Sequence, residues 1–412
     1  MDVSSTILLF MGMLLIAALM QPISVFLRLP YSLMLVLSGY LGAELVTSFG
    51  IDTGLRWQHF HAIVFYIFLP ALIFESALHL NVRTLTKKIL PILILSTPMM
   101  LLATVLSAGF IFWGIGYPEY FPWMAALLTG ALLSATDPAA VITLFKKVGV
   151  SDQLILLIEG ESLFNDAVAI LLFGLFSSLL MMPGELFSFS FAAQKFAWVF
   201  FGGILIGVLV LLCLVPLFTR INDEFSKMVI MICGAYGSYL LAESVLHVSG
   251  VMAVLIVGLG FGEMLRKQEL KIKEKLNSIW QFNGQLAESL IYLLLGITVT
   301  WGMFEQQWLA MLLGIAAVLI ARALGLLVTV PVINLLPGTR VNLKEGVVLY
   351  WGGVRGAVTI ALALSLPLEL ESWFTIQSIA YGVVLFSICV QSATTPLLIK
   401  AIKLKGTNDE MP

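Results

Sequence analysis

Nine ionisable side chains lie in stretches of the chain that are otherwise almost wholly apolar: Glu75, Asp137, Glu159, Glu161, Asp166, Glu243, Glu288, Arg322 and Arg355. Charge in such surroundings is costly and marks functional positions by default. Seven of the nine are acids, so the interior they share is strongly negative unless protons or cations neutralise it. That imbalance suits a positively charged species better than an anion. The densest group is Glu159-Gly160-Glu161-Ser162-Leu163-Phe164-Asn165-Asp166. On a helix, Ser162 stacks with Asp166 and Glu161 with Asn165, one turn apart, giving two adjacent polar stripes. A carboxylate such as Asp166, in a partly dehydrated cavity, is neutralised by a proton or by a small hard cation that takes oxygen ligands. A site that holds either species but not both is the minimal device for exchanging one for the other. Asn165 cannot titrate, so it offers hydrogen bonds without a second exchangeable charge.

Two interruptions must position this group. Ser134-Ala135-Thr136-Asp137-Pro138 breaks an apolar helix near its middle, where Pro138 lacks an N–H and frees carbonyls around Ser134. Gly352-Gly353-Val354-Arg355-Gly356 sets three glycines around an arginine. Unwound backbone at membrane depth survives only when buried in protein or lining a cavity. Asp137 can offset the positive N-terminal ends of the half-helices, and Arg355 the negative C-terminal ends.

Composition fixes the surroundings. Of 412 residues, 60% are hydrophobic and only 11% charged, against about 25% charged in soluble proteins. The chain reads as an all-α integral membrane protein. Thirteen stretches reach the roughly 20 apolar residues a crossing needs: 5–27, 31–49, 60–79, 89–113, 121–145, 154–182, 192–219, 227–247, 249–265, 278–302, 306–335, 343–366 and 374–399. With the N-terminus outside, alternate inner loops hold 1+3+2+2+5+2+3 = 18 Lys and Arg: Arg28; Arg83, Lys87, Lys88; Lys146, Lys147; Arg220, Lys227; Arg266, Lys267, Lys271, Lys273, Lys275; Arg340, Lys344; Lys400, Lys403, Lys405. The outer loops hold Arg56 and Lys195, and Arg322 and Arg355 lie within spans, completing the 22. This asymmetry predicts N-out, C-in. The breaks fall in spans 5 and 12. An offset of seven predicts inverted six-helix repeats, spans 1–6 and 8–13, joined by span 7 and meeting at a midplane site.

Other classes fall away. A net charge of −2 with no basic run excludes a nucleic-acid partner. Cys213, Cys233 and Cys389 are odd in number and embedded in apolar sequence, which excludes a disulfide framework. His59, His61, His79 and His247 show no metal-ligand spacing, and no Ser/His pair suggests an enzyme or a cofactor site. Asp2, with no cationic segment, predicts a retained first span rather than a signal peptide. The 266–275 interval reads as a short basic loop, and 406–412 as a short cytoplasmic tail.

The motif Gly160-Glu161-Ser162-Leu163-Phe164-Asn165-Asp166, with Thr136-Asp137-Pro138 upstream and Gly352-Gly353-Val354-Arg355-Gly356-Ala357-Val358 downstream, resembles the monovalent cation/proton antiporter-1 family. That family includes prokaryotic sodium/proton antiporters of the NhaP type and animal sodium/proton exchangers. The likeness extends to 68–78 around Glu75, to Ala242-Glu243 and His247-Val248-Ser249-Gly250, to 288–296 and to Ala321-Arg322-Ala323. It implies a homodimer in the cell membrane with a scaffold, about 1–80 and 227–302, and a moving core, about 89–182 and 306–399, joined by a connector at 192–219. It implies that Asp166 binds the ion and the proton in turn, that Asp137, Ser162, Glu75 and the Thr136 backbone coordinate sodium or lithium, and that Glu161 and Arg322 form a buried ion pair. Members with Asn-Asp, as at Asn165-Asp166, are usually electroneutral. The short 406–412 segment predicts no cytoplasmic tail of the length that larger members carry. Potassium as the main cation, or a sodium-coupled solute symporter, remains open at this point. So do two roles for Glu75, ion coordination or capture at the cavity mouth. Glu159, Glu243 and Glu288 read as structural or vestibule groups, and His247 as a helix-end residue.

Overall fold

The computed structural model describes residues 3–49, 62–116, 121–138, 141–142, 145–146, 150–181 and 189–402. Arg56, His59, His61, Lys147, Lys403, Lys405 and the 406–412 tail lie outside them. All regular structure among the described residues is helical. The helices are α1 (Val3–Leu27), α2 (Tyr31–Ser48), α3 (Val64–His79), α4 (Val82–Lys87), α5 (Ile89–Ile115), α6 (Trp123–Ser134), α7 (Asp152–Leu180) and α8 (Phe189–Arg220). After these come α9 (Glu224–Val245), α10 (Gly250–Leu265), α11 (Leu270–Thr298), α12 (Trp301–Asn334), α13 (Leu343–Trp351), α14 (Ala357–Leu364) and α15 (Trp373–Ile402).

Among the described residues, seven helices are long and apolar enough to cross a membrane: most of α1, and α5, α7, α8, α9, α12 and α15. Helices α3, α6 and α10 are apolar but shorter. Their burial differs sharply. In the most apolar window of α7, 67% of residues are buried, against 11% in α8. The helix carrying Asp166 therefore runs through the middle of the bundle, while α8 turns most of its surface outward.

The ends follow local chemistry. Arg28, at φ 57, ends α1 just ahead of Pro30. Ser151, Asp223 and Ser249 each accept a backbone N–H in the first turn of α7, α9 and α10. Asn342 and Glu345 close a reciprocal capping box on α13. The Asp223 carboxylate, exposed at its helix end, is held below the usual carboxylate range, first by its hydrogen bonding to Ser226.

Neighbouring helices approach closely where side chains vanish. Helices α2 and α11 cross at Gly39 and Gly296, where an added Cβ on either would strike the other's backbone. Helix α3 packs on α10 and α11, and α10 on α8 and α9. Separately, α5 packs on α6, α7 and α12, and α12 and α14 pack on α15. Helix α14 also touches α11.

The 266–275 interval departs from a loop. Helix α11 begins at Leu270, so Lys271, Lys273 and Lys275 ride its first turns. Lys and Glu are good helix formers, and Leu276 is buried, so the helix extends past the apolar limit. Helix α12 likewise starts at Trp301, before the apolar stretch at 306, with a kink at Gln307.

Candidate functional site

Helix α6 stops at Ser134 and the chain runs on irregularly to Pro138. Helix α13 stops at Trp351, and α14 starts only at Ala357. The two interruptions touch. The Asp137 N–H donates to the Val354 carbonyl at 2.7 Å, and the Asp137 carboxylate accepts the Ala357 N–H at 3.4 Å. An acid thus faces the N-terminal end of α14, where helix dipoles favour negative charge. Gly356 is required at the contact, because any Cβ there would overlap the Asp137 side chain.

The carbonyls released by the first break are taken up by side chains. Ser134 O accepts from Asn165 Nδ2 at 2.7 Å, Ala135 O from Thr359 Oγ1 at 3.5 Å, and Thr136 O from Ser162 Oγ at 2.5 Å. Asn165 Nδ2 also reaches Thr136 Oγ1 at 3.3 Å. Thr104 Oγ1 and Ser134 Oγ share a hydrogen bond of 3.0 Å. Helices α5, α7 and α14 therefore hold one short irregular strand of chain between them.

Asp166 stands beside this strand. It lies within electrostatic range of Asp137 and Arg355, and the Thr136 backbone N–H points to it. Its Oδ1 and the Oδ1 of Asn165 are buried and find no hydrogen-bond donor among the described residues. Asn165 is 2% exposed and Thr136 3%.

Behind the strand lies a charged latch. Arg322 Nη1 meets Glu161 Oε1 at 2.8 Å, and Nη2 meets Oε2 at 3.3 Å. Both residues are buried, at 5% and 1% exposed. Arg322 also donates to Leu349 O from Nε at 3.2 Å and from Nη2 at 2.7 Å, tying α12 and α7 to the end of α13. Gly353 leaves room for this guanidinium. Arg355 Nη1 donates to Gly353 O at 2.6 Å, at the carbonyl side of the second break, while its Nε is buried without an acceptor among the described residues.

The sequence-derived residues thus divide. Asp137, Thr136, Ser162, Asn165, Asp166 and Arg355 meet at the crossing, with Glu161 and Arg322 paired just behind it. Glu75 stands apart: its carboxylate meets His79 Nε2 at 3.2 Å and lies against Gly284. Glu288, one turn from Gly284, interacts electrostatically with both Glu75 and Asp137 and so bridges the two regions. Glu159 pairs with Lys146 at 3.1 Å, away from the crossing. Sequence reasoning missed Thr359, Thr104, Tyr292 and the Ala357 N–H. Tyr292, buried one turn after Glu288, is within electrostatic range of Asp137; its i,i+4 spacing from Glu288 was the available signal.

Comparison with known proteins covers nearly the whole chain. The family described as "Sodium/hydrogen exchanger, transmembrane" matches residues 12–401. The low-affinity Na+/H+ antiporter NhaS1 of Synechocystis sp. is 33% identical over 95% of this chain and 73% of its own length. The Na+/H+ antiporter NhaH of Halobacillus aidingensis is 32% identical, covering 84% of each. Among solved structures, the sodium proton antiporter MjNhaP1 of Methanocaldococcus jannaschii superposes with a TM-score of 0.77 at 22% identity, over 95% of this chain and all of that one.

Proposed function

Since the chain belongs to the sodium/hydrogen exchanger family, we propose that it is a secondary antiporter exchanging sodium or lithium for protons, with Asp166 as the shared site. The observation that carries this reading is the pair of buried oxygens on adjacent residues, Asn165 Oδ1 and Asp166 Oδ1, that have no donor among the described residues. An acceptor in a low-dielectric site without a donor is expensive. A proton or a hard cation relieves it, and no neutral group does so for a carboxylate as well. Ser162 gives its proton to Thr136 O and so turns its lone pairs, rather than a hydrogen, towards an arriving ion. Thr136 and Asp137 supply further oxygen, and Glu75 and Glu288 continue the acidic path away from the crossing. Only one of the two positive species neutralises Asp166 at a time, and that rule couples their movements. Asn165 adds no second titrating charge, in keeping with one cation exchanged for one proton.

The larger frame of the proposal is thirteen spans in a cell membrane, N-out and C-in, built as inverted repeats 1–6 and 8–13 around span 7. The 18-to-2 asymmetry of Lys and Arg supports the orientation. The breaks in spans 5 and 12, joined by Asp137 N–H to Val354 O, support the repeats. The two packing groups, α2, α3, α9, α10 and α11 on one side and α5, α6, α7, α12, α14 and α15 on the other, support a scaffold and a core that shift relative to each other. The exposed apolar faces of α1 and α2 suit a second copy of the chain at the scaffold.

The test is exchange in proteoliposomes, read with a trapped pH dye and with sodium, lithium or potassium added in turn. Sodium and lithium should collapse an imposed proton gradient, with the rate unaffected by membrane potential. Asp166→Asn should reduce the rate by about 100-fold or more while the protein still elutes as a folded species. Full activity in that variant refutes the assignment, and a potassium rate above the sodium rate transfers the substrate to potassium.

A further inference from the structure

On the far side of α7 from the ion-pair latch, a cavity of about 420 Å³ opens between α3, α7, α8 and the end of α9. Its volume is that of a small-molecule site. Ile170, Leu175 and Phe196 form an apolar wall, while Lys195, Glu243 and His247 stand at its polar end. Lys195 and Glu243 do not pair with each other. Among the described residues, Lys195 has no ion-pair or hydrogen-bond partner and Glu243 accepts only the Gly250 N–H, at 2.9 Å on Oε2. Glu243 is held by an unusual stretch of backbone. It lies in a π-helical turn, Leu241–Val245, which ends with His247 at φ 52 and with the bonds Leu246 N–H to Leu241 O and Val248 N–H to Ala242 O. Such turns recur at functional sites.

A free anion in this cavity would meet Glu243, and a free cation would meet Lys195. A group carrying both charges satisfies both. The cavity also borders membrane-facing surface: Trp198 and Phe201, on the same helix as Lys195, are 73% and 64% exposed. A tryptophan there suits the level of lipid headgroups. We propose that the cavity binds one phospholipid whose headgroup carries a primary ammonium and a phosphate. The phosphate meets Lys195, with His247 adding charge when protonated. The ammonium donates to the open oxygen of Glu243. The acyl chains leave along Ile170, Leu175 and Phe196 into the bilayer. Because Ile170 is one helical turn from Asp166, the bound lipid rests on the helix that carries the exchange site.

The experiment is native mass spectrometry of the purified full chain in mild detergent, offered phosphatidylethanolamine, phosphatidylglycerol or phosphatidylcholine with identical acyl chains. One phosphatidylethanolamine per chain should be retained about tenfold more tightly than either of the others, the scale of one charge-assisted hydrogen bond. Glu243→Gln should erase most of that preference and Lys195→Ala should weaken retention of all three lipids, each while retaining Asp166-dependent exchange. Equal retention of the three lipids, or variants that bind like the parent, overturns the proposal. So does displacement of the lipid by equimolar glycerophosphoethanolamine, which would make the site one for a soluble zwitterion. Should either variant fail to fold, a photoactivatable phosphatidylethanolamine on the parent protein decides: labelling of 170–178 or 195–199 supports the site and labelling elsewhere refutes it. Binding is read without transport, so its failure leaves the antiport assignment untouched.

Discussion

Removing Arg322 should damage the protein more than neutralising its partner Glu161, and the structure gives the size of the difference. Glu161 has both carboxylate oxygens on Arg322, at 2.8 and 3.3 Å, and no other partner among the described residues. Arg322→Met therefore strands a charge that is 1% exposed, at a cost of about 3–5 kcal/mol. Glu161→Gln is gentler. Arg322 keeps its two bonds to Leu349 O, and a glutamine oxygen can still accept one N–H, so the loss is about 1–3 kcal/mol. The double variant Glu161→Gln with Arg322→Met buries no charge and should fall well short of the sum, with a coupling of about 2 kcal/mol or more. The assay is the unfolding midpoint in mixed micelles for the parent, both single variants and the double. Equal single effects below about 1 kcal/mol, or strict additivity, would refute the latch as a stability element and recast both residues as ion-handling groups.

Raising the proton concentration tenfold across the titration of Asp166 should raise the apparent sodium KM by up to about tenfold, since proton and cation compete for one group; a KM that does not change with pH contradicts the shared site. Gly356→Ala should cut exchange by at least about tenfold, because its Cβ would displace the Asp137 carboxylate; normal kinetics would remove Asp137 from the site. Asn165→Leu should lower stability by about 1–3 kcal/mol, as it strips the Ser134 carbonyl of its buried donor, and denaturant unfolding reads this directly. Asp223, with its carboxylate held low in the folded protein, supports the start of α9 above the ordinary carboxylate range and loses that support as pH falls through its depressed value. Amide exchange at Ser226 should therefore accelerate only in that acid window, and already at neutral pH in Asp223→Ala.

The sequence made the candidate site legible because membrane burial raises the cost of every polar residue, so Asp166, Asp137 and the two broken helices stand out against an apolar background. It could not show who meets whom. Glu161 and Arg322 are 161 residues apart, and Thr359 and Ala135 are 224 apart; no helical spacing links either pair, and the first was reachable only through family resemblance. Conversely, Glu75 and His79 sit at i,i+4 in plain view. The metal-ligand spacing considered for His79 does not test a carboxylate one turn away. The start of α11 was missed for a different reason. Apolarity marks the part of a helix in lipid, whereas Leu270–Lys275 continues the helix on propensity and on one buried leucine after the apolar signal has stopped.

The two breaks solve one problem jointly. A cation needs several oxygens, yet a continuous apolar helix has none to spare, since each carbonyl is bound to the N–H four residues on. Interrupting α6 at Ser134 frees three carbonyls, and each is then held by one side-chain donor from another helix: Asn165 from α7, Thr359 from α14 and Ser162 from α7. A carbonyl has two lone pairs, so each can keep its donor and still face an ion. The donors therefore fix the direction of the carbonyls without consuming their capacity. The second break contributes no carboxylate; it supplies the Val354 carbonyl and Ala357 N–H that fix Asp137, and an arginine within electrostatic range of Asp166. On the proposed ion site, selectivity among alkali ions follows from how rigidly those three donors are held. Thr359→Val frees Ala135 O while leaving both carboxylates in place. It should narrow the preference for sodium over potassium while the maximal exchange rate changes less than about threefold. Unchanged selectivity would mean that the carboxylates alone choose the ion and that the carbonyls are structural.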